Sequence, residues 1–370
     1  MSKIGMDLDS EVQAEVVSID SLRLFQDYHW LMLEAFWKPA GELLGESGHH
    51  CVEQGFSATG YYNGQAMRDS AIALAEGRSP LGVFRHWQSA EWHLSEVDGH
   101  LQVDMVPGGV QVHVRELPGI EYAQNRGIVD GLQRYWTALF NGVVRGYDRD
   151  FVGEFEFSPE TGSATFTVTC RSSETNEEMP SEFLVPIEDE AALLARTRRT
   201  TGLLASLQLY PSRELGGLGA SGEEVIRRAG HIFGSVRGAR IRATHLAAGT
   251  PINLESFMGG GGLQERDPSE AVFVFAEGQY LSQGAWYADC TYCPLAEVWS
   301  SDAKDGFRFG AMFDEANHVA LYRSYHPGVV VRWDAIKSRG DSLCKFRFTI
   351  PELMTSDDPT PEEYNETVGS

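Results

Sequence analysis

The chain has 370 residues, 42% hydrophobic and 11% aromatic, which is enough for packed cores and excludes a disordered protein. Its formal net charge of −23 excludes nucleic acid and anionic membrane as partners, because both recruit clustered Lys and Arg. No apolar run reaches the roughly 18–20 residues that span a bilayer, and Met1 to Val17 lacks the basic start and apolar core of a secretory signal. The expected location is therefore cytoplasmic. There, the five cysteines read as free thiols, a metal site or a catalytic thiol, not as a disulfide framework.

In chain order, residues 1–19 read as an acidic arm. A helix is predicted from Ser21, which can cap it, to Leu44, with a kink or break at Lys38-Pro39. Gly41 to Gly64 reads as a glycine-rich loop carrying His49-His50-Cys51, adjacent side chains of metal-ligating type. Helices follow over Gln65–Glu76 and Pro80–Val97, the second with His86 and His93 bracketing Trp87 and Trp92. The period then changes to two. Leu101–Met105 and Val110–Val114 predict strands, Gly119–Arg145 is helical in its middle, and Phe151–Phe157 with Ser163–Cys170 predict a hairpin. The polar stretch Arg171–Pro186 is the expected boundary between an N-terminal half, residues 20–171, and a C-terminal half, residues 187–352.

Past the boundary, helices are predicted over Glu188–Gln208 and Ser221–Val236, with Ser221 and Glu224 in capping-box register, and a strand over Arg240–Ala248. Gly259–Gly262 reads as a lid, hinge or plain surface loop, not a phosphate loop. A buried strand at Ala271–Phe275 and a helix at Asp289–Trp299 follow. A short strand at Phe307–Phe309 and a helix at Ala311–Tyr322 come next. The fold is expected to close with strands at Val329–Trp333 and Leu343–Ile350, and residues 353–370 to be a disordered acidic tail. The order of elements repeats: Gly162-Ser163-Ala164-Thr165-Phe166-Thr167-Val168 aligns without gaps on Ser342-Leu343-Cys344-Lys345-Phe346-Arg347-Phe348. The expected fold is α+β, in two similar halves, each with helices packed on an antiparallel sheet, the first being a degenerate copy.

Reactive side chains concentrate between Trp286 and Ile350. Cys290 and Cys293 have the spacing of two zinc or iron ligands, and also of a redox pair or two small buried residues. A following helix start would lower their thiol pKa. Cys344 falls on the same face of its strand as Phe346 and Phe348, either as core or as a nucleophile at a pocket wall. Asp314 and His318 are four apart on a helix, the spacing by which a carboxylate orients an imidazole. His326 is a second nearby histidine, and Trp286, Tyr292 and Phe313 are candidate pocket aromatics. Serine-hydrolase elbows, zincin motifs and kinase motifs are absent.

Cys290-x-Tyr292, Phe309-Gly310-Ala311-Met312-Phe313-Asp314 and Arg339-Gly340-Asp341-Ser342-Leu343-Cys344-Lys345-Phe346-Arg347-Phe348 resemble the family of L-2-amino-thiazoline-4-carboxylic acid hydrolases. More distantly they are similar to the small-ligand domain called 4-vinyl reductase. The resemblance covers roughly residues 220–350. It departs from the family at Met312–Phe313, where a cysteine is usual, and at Lys345, where an acidic residue is usual. It implies a hydrolase-like or lyase-like enzyme for a small nitrogen- or sulfur-bearing metabolite. In that reading Cys344 is nucleophile or ligand, His318 the acid–base and Asp314 its orienter. The alternative it implies is a non-catalytic small-molecule binder or sensor. The expected partners are a small molecule and, as an open possibility, a second copy of the chain.

Overall fold

A computed structural model of the chain describes residues 19–76, 78–87, 99–171, 190–259, 273–302 and 305–368. The expected acidic arm before Ile19, the Trp92–His93 segment, the polar run 172–186 and Gly260–Gly262 lie outside these residues. The chain divides into two compact units, residues 22–225 and residues 226–370, the latter taking in residues 19–21 as well. Each is α+β, and the two are similar in plan. No helix among the described residues is long and apolar enough to cross a membrane.

The first unit begins with α1 (Ile19–Leu44), α2 (Glu46–Ala73) and α3 (Pro80–His86). The hairpin β1 (Leu101–Val106) and β2 (Gly109–Val114) follows, then α4 (Ile120–Arg126) and α5 (Val129–Tyr147). A second hairpin, β3 (Phe151–Ser158) and β4 (Ser163–Cys170), completes a sheet of order β1-β2-β4-β3, antiparallel throughout. Its buried face, Val110, Val112, Val114, Ala164, Phe166 and Val168, packs under Trp136 and Phe140 of α5.

α1 runs through Pro39 to Leu44, the end expected for it. One expectation here is corrected. The stretch 46–64 is helix, not loop, because its glycines are contact points, not breakers. A Cβ at Gly60 would meet Leu139 O at 2.1 Å, and one at Gly64 would meet Val143 O at 2.2 Å. His49 and His50 are thereby committed to the helix surface. His49 stacks on Trp37 at 3.9 Å, and His50 bonds Gln54 at 2.9 Å.

The last helix of this unit is α6 (Glu190–Gly216), which the boundary expected at Arg171–Pro186 would put in the C-terminal half. It lies on α2. Thr59 Oγ1 donates to Ser206 O at 3.1 Å, Tyr62 stacks on Tyr210 at 4.9 Å, and Gly55 lets Pro211 approach.

The chain enters the second unit within α7 (Ala220–Ala248) and continues through α8 (Leu254–Gly259), β5 (Val274–Phe275), β6 (Tyr280–Leu281) and β7 (Ala285–Tyr292). Then come α9 (Pro294–Ser300), α10 (Asp305–Tyr325), β8 (Trp333–Ala335), β9 (Cys344–Thr349) and α11 (Pro361–Val368). The sheet order is β5-β7-β9-β8, with β6 also pairing β7.

Residues 240–248, expected as a strand, continue the α7 helix. They are pinned along α10 by Arg242 Nη1 donating to Tyr325 O at 2.6 Å and by the His245–Tyr325 hydroxyl contact at 2.8 Å. The expected helix from Asp289 starts only at Pro294. Residues 285–292 are ladder, with Cys290 opposite Cys344, and Cys293 is the N-cap. Phe307–Phe309 lies in the first turns of α10, where Gly310 seats the helix on the Trp299 ring. Strand at the expected Val329–Trp333 is reduced to a bridge at Val330 and the start of β8. Val274, on an edge strand, is exposed and not buried.

The tail expected to be disordered is ordered as far as Val368. Thr360 and Glu363 form a reciprocal capping box, with backbone-to-side-chain bonds of 2.8 and 3.2 Å. The helix they start buries Tyr364 against Tyr287 on the outer face of the sheet. Arg347, buried on that face, donates to Asn365, pairs with Asp289 at 2.8 Å and stacks its guanidinium over Tyr364.

Candidate functional site

The second unit repeats the helix approach of the first. A Cβ at Gly234 would meet Asn317 O at 2.1 Å, and one at Gly238 would meet Leu321 O at 2.0 Å. The correspondence places Asn317 on Leu139 and Leu321 on Val143. Asp314 then stands where the first unit has Trp136, and His318 where it has Phe140. The strands agree independently. Cys290 faces Cys344 as Val114 faces Ala164, and Ala288 faces Phe346 as Val112 faces Phe166. The gap-free match of residues 162–168 with 342–348 is thus also the match in sheet register. An apolar set, Trp136, Phe140 and Ala164, is replaced in the second unit by Asp314, His318 and Cys344.

Asp314 and His318 meet as expected. The imidazole Nδ1 lies 2.9 Å from Asp314 Oδ1 and 2.9 Å from the Asp314 carbonyl oxygen. Ser338 Oγ donates to Asp314 Oδ2 at 3.1 Å, which leaves both carboxylate oxygens engaged and their plane fixed. With its Nδ1 proton directed to the carboxylate, the ring turns Nε2 away from the pair. Among the described residues Nε2 has no hydrogen-bond partner. Burial opposes the imidazolium charge, but the attraction and hydrogen bonds of Asp314 outweigh it, so His318 titrates above the usual histidine range.

The ring sits among aromatics. Tyr322 lies parallel at 6.3 Å, Trp333 presents an edge at 5.7 Å and Phe346 lies at 5.9 Å. Trp333 Nε1 is a buried donor with no partner among the described residues. Trp286, a predicted pocket residue, stacks on Phe346 at 5.3 Å and belongs to this aromatic group. On α7, Arg237 is buried and donates to Asn317 Oδ1 at 3.3 Å, and its charge is felt at His318.

The remaining predicted site residues distribute differently. Cys344 is buried beside Phe346 on the core face, as its alternation implied, and its sulfur accepts the Lys337 backbone N–H at 3.2 Å. Burial pushes its thiol up to about 12, and among the described residues no hydrogen bond joins it to His318. Cys290 Sγ donates to Tyr292 O at 3.0 Å, and burial raises its thiol to about 12 as well. Cys293 accepts the Ala296 N–H as the α9 cap, yet burial holds its thiol well above the ordinary value. The helix start was expected to lower these thiols; desolvation outweighs it. Among the described residues no group of three His, Cys, Asp or Glu side chains is arranged to hold a metal ion, so Cys290 and Cys293 have no completing ligands for zinc or iron there.

Phe313 packs on Phe233 of α7 at 5.9 Å, between helices. Tyr292 is half-buried at the end of β7. His326 lies eight residues past His318, about 12 Å along the helix axis, and its Nδ1 accepts the Gly328 N–H at 3.1 Å in the turn after α10. The sequence reading missed Ser338 and Arg237. Ser338 sits in a short turn with no periodic signal. Arg237 had one: it follows Gly230 and Gly234 and precedes Gly238 on a helix whose small residues mark a packed face. No protein-family model matches the chain, and no curated protein or solved structure gives a match.

Proposed function

We propose that the second unit is a small-molecule enzyme of hydrolase or lyase type in which His318 moves the proton. The observation that carries this reading is the Asp314–His318 pair at 2.9 Å, oriented by Ser338, with Nε2 left unpartnered among aromatic side chains. For C–N hydrolysis, neutral Nε2 takes a proton from attacking water as the oxygen bonds to carbon. The imidazolium then returns that proton to the departing nitrogen as the C–N bond breaks. Asp314 keeps the ring in the tautomer the step requires. Trp333 Nε1 supplies a donor to a polar atom of the substrate, and Trp286, Tyr322 and Phe346 bound its apolar part. Cys344, a protonated thiol with no base bonded to it, serves as wall, and water replaces it as nucleophile. The substrate class, a small nitrogen- or sulfur-bearing metabolite, rests on the resemblance of residues 220–350 to the thiazoline-carboxylate hydrolases.

The test is hydrolysis of a panel of cyclic thiazoline and amidine carboxylates by wild type, His318→Gln, Asp314→Asn and Cys344→Ala. The expected result is a fall in kcat of about 10²–10⁴ for His318→Gln, a smaller fall for Asp314→Asn and a modest change for Cys344→Ala. Loss of activity confined to Cys344→Ala would overturn the assignment. The second reading, a non-catalytic binder or sensor, is favoured by the protonated thiols inside an aromatic core. Saturable binding of a panel member without turnover, unchanged in His318→Gln, would select it.

A further inference from the structure

We infer that the first unit carries a binding site for a small organic oxyanion, built on Arg145, Arg149 and Arg171. The site is a cavity of about 670 Å³ where the end of α5, the start of β3 and the residue after β4 converge. Three guanidinium-bearing residues line it, together with Asn141, Tyr61 and Phe151. This inference does not depend on the reading of His318, which lies in the other unit.

The charge balance makes the cluster informative. The chain has 53 acidic residues against 30 basic ones, so an arginine has many carboxylates to pair with. The neighbouring Asp148 is engaged elsewhere, with Arg78 at 3.0 Å. Among the described residues, none of Arg145, Arg149 and Arg171 makes an ion pair with a carboxylate. Arg145, which lines the cavity, is instead held over the Tyr61 ring at 5.5 Å and within 3.4 Å of Ser57 Oγ. Three like charges brought to one concavity repel one another, and a bound anion relieves that repulsion.

The chemistry of the walls narrows the ligand. Guanidinium forks bind phosphate and carboxylate oxygens alike, in pairs of parallel hydrogen bonds. Asn141 adds an amide. Phe151 and the Tyr61 ring give an apolar surface for a flat organic body. Gly153 lets β3 lie close under α5 at the cavity's base, since a Cβ there would come within 3.0 Å of Val144, 3.1 Å of Phe140 and 3.4 Å of Asn141 Oδ1. The net charge of −23 does not oppose binding at this range. At physiological ionic strength the Debye length is about 8 Å, so a ligand in the cavity meets the three arginines before the rest of the surface. The second unit does not reproduce the set. By the same helix correspondence, Arg323 stands for Arg145, but Val319 replaces Asn141.

The experiment is calorimetric titration of the full chain, at physiological salt, with phenyl phosphate and in parallel with benzene-1,3,5-tricarboxylate. The expected result is saturable binding of at least one, weakened about tenfold or more in the Arg149→Ala/Arg171→Ala variant. These two side chains make no hydrogen bond to the described residues, and removing them relieves mutual repulsion, so the unliganded melting temperature should not fall. Preference for the phosphate ester would assign a phosphorylated ligand, and preference for the tricarboxylate a polycarboxylate. No saturable binding of either, or binding unaltered in the double variant, would overturn the site.

Discussion

His318 carries its charge at a cost in solvation that Asp314 repays, and this gives a pH signature. Its folded pKa lies above the unfolded value of about 6.5, so the pair's contribution to stability is complete below that pH and is lost as pH rises through the folded value. The melting temperature of wild type should therefore exceed that of His318→Gln most at acid pH, with the gap closing on the alkaline side. A gap independent of pH would remove the ion pair from the account. The thiols give a second signature. Cys290 and Cys344, both pushed to about 12, should alkylate with iodoacetamide far more slowly in the native protein than in urea, as mass spectrometry of peptides would read. Rapid native labelling of Cys344 would restore it as a nucleophile. At this scale the sequence was informative where spacing sets geometry. Residues four apart on a helix had to share a face, and Cys344 had to lie with Phe346. It was silent on Ser338, whose bond to Asp314 spans 24 positions of chain, and misleading on Cys290 and Cys293, whose burial depends on strands far away in sequence.

Helix packing in both units rests on glycines that let one backbone touch another. Gly60 and Gly64 do this against α5, and Gly234 and Gly238 against α10. Gly234→Ala should cost about 1–3 kcal/mol, since its Cβ meets a carbonyl oxygen that can withdraw only if α10 moves. Urea denaturation would measure it, and because α10 bears His318, activity should fall in the same variant even under conditions where it is folded. A neutral substitution would mean that the helices stand further apart. Glycine is read from sequence as a breaker, and that is why residues 46–64 were expected to be loop. The strands fared better, as the alternation of Val110–Val114 and Ser163–Cys170 reports directly on a sheet with one buried face. The helix after Pro361 was legible in its Thr360–Glu363 capping box, but the acidic composition around it masked the signal.

Across the whole molecule, one plan carries two different sets of side chains. The first unit fills its helix–sheet interface with Trp136, Phe140 and Ala164, and the second places Asp314, His318 and Cys344 at the matching positions. Two similar α+β halves were visible in the repeated order of elements, whereas the place where the chain divides was not. The polar run after Cys170 looked like a linker, yet α6 beyond it packs back onto α2. The second unit also depends on its last described helix. Arg347→Ala should cost about 3–5 kcal/mol in chemical denaturation, because it leaves the Asp289 carboxylate buried without its partner. A loss below about 1 kcal/mol would show that water reaches Asp289 in the folded protein. The same contact sets an order of events during synthesis. A nascent chain that has emerged through Thr349 already contains the dyad, the three thiols and every strand of the sheet, but its Arg347 still faces water. Only when Tyr364 and Asn365 leave the ribosome can the outer face of the sheet close. Ribosome-bound chains halted before that point should be cut readily by protease within the second unit, and those released after it should resist.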